Sequence, residues 1–204
     1  ASWIITIEIL EPAPLITYSN NTLQLTMGKP MNSLVPSNEG GLVATWSISP
    51  ALPAGIFFDS GSGVIIGSPL VTSQATTYTI IATSNGGEST FTIVIEVRDP
   101  LPEFSLPSTY LRLTEGVVMP QLAPIPSGVV VTGWSLTTDG QGLPSGLQFS
   151  AVTGVISGTP LLASDSINVT IIATNGGGQV SRNLTIVVLA DFDGDAIPDV
   201  DDED

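Results

Sequence analysis

The 204 residues contain no cysteine and no histidine. Without cysteine there is no disulfide, no thiol nucleophile and no thiolate metal site. Without histidine the chain lacks the commonest general base and the commonest transition-metal ligand. Only four residues are basic, against nineteen acidic. No basic stripe can neutralise phosphates, so nucleic acid is excluded as a partner, and anionic membranes are repelled. No apolar run is long enough to span a bilayer, so membrane insertion of this segment is not expected. Helix formers are sparse. Ala1 opens directly into strand-like sequence without a basic n-region, as expected if a leader has been removed or if this is a segment of a longer chain.

What the chain has in abundance is Thr, Ser, Val and Ile, punctuated by 21 glycines and 16 prolines. That mixture predicts an all-β fold with many turns. The acidity is uneven. Eight of the nineteen acids lie between Asp191 and Asp204, and the other 190 residues carry a net charge of −7.

The chain also repeats itself. Trp46-Ser47-Ile48, Leu52-Pro53-Ala54-Gly55-Ile56, Gly63-Val64-Ile65 and Gly67-Ser68-Pro69 form one series. Trp134-Ser135-Leu136, Leu143-Pro144-Ser145-Gly146-Leu147, Gly154-Val155-Ile156 and Gly158-Thr159-Pro160 form the other. The period is about 90 residues, the size of a small β-sandwich. In the first copy, strands are expected near 15–18, 22–26, 42–48, 55–58, 63–66, 77–84 and 90–98. In the second they are expected near 103–105, 110–113, 129–136, 146–149, 154–157, 167–174 and 181–189. Asn85-Gly86-Gly87 and Asn175-Gly176-Gly177 read as hairpin turns that need positive φ.

Residues 1–10 alternate like a half-buried strand, with Trp3, Ile5, Ile7 and Ile9 on one face. The same pattern ends each repeat, at Phe91, Ile93, Ile95 and Val97 and at Leu184, Ile186 and Val188. Glu11-Pro12-Ala13-Pro14 and Asp99-Pro100-Leu101-Pro102 read as short, stiff joints. The expected organisation is an orphan terminal strand (1–11), two immunoglobulin-like sandwiches (12–98 and 99–190) and an acidic segment (191–204). The orphan strand belongs to a preceding repeat of a longer chain or is donated to a neighbouring subunit. The first is preferred, because both bodies already own a closing strand.

The repeated motif resembles the putative immunoglobulin repeat family, cadherin-like modules found in tandem in secreted and surface proteins of bacteria and archaea. Trp46, Leu52, Pro53, Gly55, Gly63, Gly67 and Pro69 carry the resemblance, and so do Trp134, Leu143, Pro144, Gly146, Gly154, Gly158 and Pro160. It implies structural roles: a core tryptophan and turn glycines. Ser68 stands where threonine is usual.

The acidic segment carries the one constellation with chemistry. Counting from Asp191, carboxylates fall at positions 1, 3 and 5 (Asp191, Asp193, Asp195), a carbonyl at 7 (Ile197), and Asp199 and Asp202 at 9 and 12. That is the spacing of a Ca²⁺ loop of EF-hand type, in which alternate residues of a tight turn converge hard oxygens on one point. An EF-hand has glycine at position 6, where this chain has Ala196, and it needs flanking helices that are not expected here. The segment looks like a thrombospondin type 3 repeat, which implies Ca²⁺ held by Asp191, Asp193, Asp195, Asp199, Asp202 and the Ile197 carbonyl. Against this stands a solvated acidic tail. The junction acids Glu8, Glu11, Glu96, Asp99 and Glu103 are too dispersed for a cadherin-type calcium site.

No catalytic residues are expected. Asp59, Asp139 and Asp165 lie in turns, where aspartate is at home for backbone reasons. Asn20, Asn168 and Asn183 begin Asn-x-Thr sequons. The composite expectation is an extracellular or cell-surface, non-catalytic stalk, adhesin or fibre segment. Its partners would be neighbouring repeats, identical subunits, or surface glycans and proteins. Two alternatives differ in kind: a filament subunit assembling by strand addition through residues 1–10, and an accessory carbohydrate-binding module of a secreted enzyme.

Overall fold

A computed structural model of the chain describes residues 11–202. The orphan strand expected at 1–10, with Trp3, lies outside the described residues. The chain divides into two compact units between Asp99 and Pro100.

The first unit contains β1 (Ile16–Tyr18), β2 (Thr22–Thr26), β3 (Pro36–Asn38), β4 (Thr45–Ser49), β5 (Ile56–Phe58), β6 (Ile65–Gly67), β7 (Ser73–Ser84) and β8 (Gly87–Arg98). One layer is a four-stranded sheet in the order β2-β8-β7-β4. β2 runs parallel to β8, with Thr22 opposite Val94 and Thr26 opposite Arg98. The facing layer is made of the β1-β3 and β5-β6 pairs, joined by a bridge from Leu34 to Ile65.

The second unit repeats this arrangement. It contains β9 (Phe104–Ser105), β10 (Tyr110–Thr114), β11 (Ile125–Pro126), β12 (Gly133–Thr138), β13 (Leu147–Phe149), β14 (Ile156–Gly158), β15 (Ser164–Asn175) and β16 (Gly178–Leu189). Its main sheet is β10-β16-β15-β12, and Leu122 bridges to Ile156 in the other layer. Two facing sheets of short strands around one core make an immunoglobulin-like sandwich, here twice and with no helix among the described residues.

The alternation on the closing strands is what buries the cores. Ile93, Ile95 and Val97 of β8 and Leu184, Ile186 and Val188 of β16 point inward. Each core is capped by a buried tryptophan, Trp46 or Trp134. Beneath each indole lies a motif glycine. A Cβ on Gly63 would sit 2.6 Å from Trp46 Cε3, and one on Gly154 would sit 2.6 Å from Trp134 Cδ2. Both glycines have φ of +73°, which a side chain rarely adopts. The Trp-Gly spacing of the motif is thus a packing requirement.

Three expectations need correction. Residues 36–38 and 125–126 form strands that period-2 patterning does not reveal, since Pro36-Ser37-Asn38 and Ile125-Pro126 are too short to alternate. The strands expected to begin at 42 and 129 begin at Thr45 and Gly133. In the second hairpin the positive φ falls on Gly178, one residue beyond the expected turn, matching Gly87 in the first. The register explains this: Ser84 faces Gly87 and Asn175 faces Gly178, so each turn is two residues long.

The proline joints pack onto the unit that follows them. The Gly41 amide donates to the Ala13 carbonyl at 3.0 Å, and Pro14 is buried. A Cβ on Gly86 would collide with the Glu11 carbonyl at 1.9 Å. In the second unit the Asn175 side-chain amide donates to the Pro100 carbonyl at 2.9 Å. Each joint is therefore held against the β7–β8 or β15–β16 hairpin tip.

Candidate metal site

β16 ends at Leu189, and the chain then folds into a compact loop whose hydrogen bonds come mainly from its own carboxylates. The Asp191 carboxylate accepts from the amides of Gly194 at 3.0 Å and Ala196 at 3.1 Å. Asp193 accepts from the Asp195 amide at 3.2 Å, and Asp195 from the Ile197 amide at 2.7 Å. Asp199 accepts from the Phe192 amide at 2.9 Å, and its own amide donates to Ala190 O at 3.0 Å, closing the loop at its base.

The result is a cluster. Asp191, Asp193 and Asp195 each present a carboxylate oxygen, and these oxygens lie within 4.8 Å of one another. Asp191 is half-buried and the other two are exposed. Asp199 and Asp202 do not join that cluster. The loop turns at Gly194 and Ala196, with φ of +79° and +74°. Ala196 is the only non-glycine with positive φ among the described residues. It occupies loop position 6, where EF-hand loops place glycine for the same sharp turn.

Electrostatics set what such a cluster can do. Like charges 4–5 Å apart repel by about 1 kcal/mol per pair even in water. Among the described residues no basic side chain is paired with the three; Arg112 on β10 pairs with Asp201 at 2.5 Å. A hard divalent cation removes the repulsion, and an all-oxygen donor set suits Ca²⁺ or Mg²⁺ rather than softer metals. The residues present therefore fit calcium chemistry. Nothing in the sequence marks Arg112 as the partner that holds the tail, because the two residues are 89 positions apart.

Elsewhere the acids do backbone work. Asp59 accepts from the Gly61 amide at 2.8 Å and the Ser62 hydroxyl at 2.7 Å. The bond from the Gly61 amide, then that from Ser62, holds its carboxyl below the usual range. Asp139 and Asp165 are exposed. Of the sequons, Asn20 lies in the exposed connection between β1 and β2. Asn168 and Asn183 sit on the outer face of β15 and β16, each accepting from the threonine of the other's sequon, at 3.2 Å from Thr185 and 3.1 Å from Thr170.

Two sandwiches of one pattern in tandem, ending in an acidic loop, define a modular immunoglobulin-like protein. The chain belongs to the "Putative Ig domain" family, whose model matches residues 13–98 and again 106–189. It is similar to the "Serine-rich adhesin for platelets" of Staphylococcus aureus, 30% identical over 169 residues, which cover 82% of this chain and 7% of that one. The relative of strain MRSA252 matches at the same identity over 12% of its length. The chain thus spans a small part of the curated relatives it matches. Among solved structures, the N-terminal eight Ig domains of Down Syndrome Cell Adhesion Molecule align over 88% of this chain and 25% of that one. The identity is 17% and the TM-score 0.48.

Proposed function

We propose that this chain is a non-catalytic segment of an extracellular or cell-surface stalk, adhesin or fibre, ending in a calcium-ordered loop. The observation that carries the reading is the match to surface adhesins across both sandwiches at once, rather than across one domain. Tandem modules that hold their own joints are built to project a binding end away from a surface. The two copies share one pattern of core and turn residues, and the Asp59 carboxylate is occupied with the Gly61 amide. The net charge of −15 favours solubility.

Accessory carbohydrate binding is the weaker reading. Such modules stack sugars on exposed aromatic faces, and Trp46 and Trp134 are both committed to cores. Cell-surface projection is tested by treating intact host cells with protease and identifying the released peptides. Peptides of residues 11–202 should appear without lysis. If they appear only after lysis, the reading fails.

In this reading Asp191, Asp193 and Asp195 hold Ca²⁺, with Asp199, Asp202 and the Ile197 carbonyl completing the shell. The cation would replace repulsion by attraction in a loop that has little apolar core. Calorimetry with Ca²⁺ in the millimolar range tests it, since lone extracellular sites bind at about 10⁻⁴ to 10⁻³ M. Absence of heat and of amide protection at Gly194 and Ala196 would remove the site.

A further inference from the structure

The fold treats the three Asn-x-Thr sequons differently. Transfer of a sugar to asparagine needs the carboxamide nitrogen and the threonine hydroxyl of one sequon presented together on accessible backbone. Two of the three are locked. Asn168 lies opposite Thr185, and Thr170 opposite Asn183, in the β15–β16 ladder. The Thr185 hydroxyl donates to Asn168 Oδ1 at 3.2 Å and the Thr170 hydroxyl to Asn183 Oδ1 at 3.1 Å. The middle residues, Val169 and Leu184, are in the core, 0% and 1% exposed. Presenting either sequon means opening the central hairpin of the second sandwich.

The third sequon serves no such purpose. Asn20, Asn21 and Thr22 are all exposed, where β1 turns into β2. Among the described residues no hydrogen bond holds the Asn20 side chain, and the Thr22 hydroxyl has only Asn21 Oδ1, at 3.5 Å. In the second sandwich the Thr185 amide donates to the Thr109 carbonyl as the Val94 amide donates to that of Asn21, so Ser108 stands where Asn20 stands. The Ser108 hydroxyl donates to the Tyr110 carbonyl at 2.6 Å and accepts from the Tyr110 amide at 3.2 Å, closing the turn on itself. Asparagine is suited to the same closure, yet Asn20 leaves it unmade. The neighbouring surface differs too. Asn20 and Asn32 rim a groove lined by Leu23, Leu25 and Met31. Leu25 lies opposite Val97 as Leu113 lies opposite Val188, and the Met31 amide donates to Gly67 as that of Met119 does to Gly158. Leu25 and Met31 are half-buried, whereas Leu113 and Met119 are 8% and 5% exposed.

We propose that Asn20 is an N-glycosylation site, its first sugar lying over Leu25 and Met31, and that Asn168 and Asn183 stay unmodified. The donor is a lipid-linked sugar phosphate. Asn20 Nδ2 bonds to the anomeric carbon, the bond from that carbon to the phosphate oxygen breaks, the lipid phosphate leaves with the electron pair, and Nδ2 gives up one proton. The C–H face of a pyranose suits the leucine and methionine side chains, and its hydroxyls suit the Asn32 amide. The glycan would cover apolar surface in the one copy that leaves it half-buried. The proposal rests on the surface reading, because such donors deliver sugar outside the cytoplasm.

The test uses protein purified from its native host and cut after glutamate, which releases residues 12–39 as one peptide between Glu11 and Glu39. The mass of that peptide should exceed the sequence mass by whole sugar residues, and fragmentation should place them on Asn20. Asn20→Gln and Thr22→Val, expressed in the same host, should each lose the added mass. Both alter exposed side chains, so an unchanged melting transition shows that a lost glycan is not a lost fold. Sugar that survives Asn20→Gln sits on another residue and overturns the site. Sugar on Asn168 or Asn183 overturns the claim that the folded ladder protects them. An unmodified Asn20 in protein that surface protease releases overturns the site and leaves the surface reading standing, whereas protein found only inside the cell overturns both.

Discussion

Asn175 closes the entrance to the second sandwich by bonding in two directions: its side-chain amide donates to the Pro100 carbonyl at 2.9 Å, and its Oδ1 accepts from the Gly177 amide at 2.8 Å. Its side chain is largely buried, at 8% exposure. In the first sandwich Ser84 takes its place and accepts from the Gly86 amide at 3.1 Å, while Glu11 and Pro12 pack directly on that glycine. Asn175→Ala leaves a carbonyl and an amide without partners at a half-buried site, a cost of about 1–3 kcal/mol. Asn175→Ser restores the turn bond and not the joint bond, so it should fall between. Urea denaturation, with the second sandwich followed separately by hydrogen exchange, distinguishes the three proteins.

The Trp–Gly pairs allow a sharper test because they occur twice. Gly63→Ala puts a methyl 2.6 Å from the Trp46 ring at φ +73°, and Gly154→Ala does the same beneath Trp134. Overpacking costs about 1–3 kcal/mol and the left-handed backbone about another 1–2. Each change should lower the melting transition of its own sandwich and leave the other in place. A single joint shift in calorimetry from either change would show that the two units melt as one.

Much of this was legible because the informative residues are packed by their neighbours in sequence. Trp46, Gly55, Gly63, Gly67 and Pro69 fall within 24 residues and together carry the resemblance to an immunoglobulin-like repeat. Strands such as β8 alternate because one face is buried over their second half. β3 and β11 were not legible, since pairing of two or three residues with β1 or β9 depends on the other layer being present. In the acidic loop, spacing pointed to Asp191, Asp193, Asp195, Ile197, Asp199 and Asp202; the carboxylates of the first three cluster, and Asp199 and Asp202 stand outside that cluster. The Arg112–Asp201 pair and the hold of Asn175 on Pro100 join residues 89 and 75 positions apart, and no local pattern encodes them.

Ala196 gives the calcium reading a test beyond removing ligands. An alanine at φ +74° carries about 1–2 kcal/mol of strain that glycine would not. Ala196→Gly should therefore tighten Ca²⁺ binding severalfold in calorimetry, whereas Asp193→Asn, which removes one charge from the cluster, should weaken it. If both changes leave the titration unaltered, the heat comes from diffuse acidic charge and not from this loop.

Arg112→Gln tests the tail's attachment and separates it from metal binding. The Arg112–Asp201 pair is more than 40% exposed on both sides, so its contribution is small, about 0–1 kcal/mol. The change should raise amide exchange at residues 199–202, with little effect on the melting of the second sandwich. Raising salt should do the same in the unaltered protein, since a pair this exposed is screened within a Debye length of about 8–10 Å.

Alkali should act on the first sandwich before the second. The Tyr18 hydroxyl is buried and donates to the Gly63 carbonyl at 2.5 Å, and burial pushes its pKa well above the ordinary tyrosine value of 10. The position is Leu106 in the second copy, which cannot titrate. A group whose folded pKa is raised stabilises fully below its unfolded pKa, and that stability is lost as pH rises toward the folded value. Above about pH 10 the unfolded chain releases the Tyr18 proton while the folded chain retains it, so the first sandwich loses stability with each further unit of pH. Tyr18→Phe removes that slope. It costs about 1 kcal/mol at neutral pH, because the Gly63 carbonyl loses its donor, and the gap should narrow and then reverse as the medium becomes strongly alkaline. Melting curves of both proteins between pH 8 and pH 12 check this, and parallel curves across that range would show that Tyr18 ionises freely in the folded state.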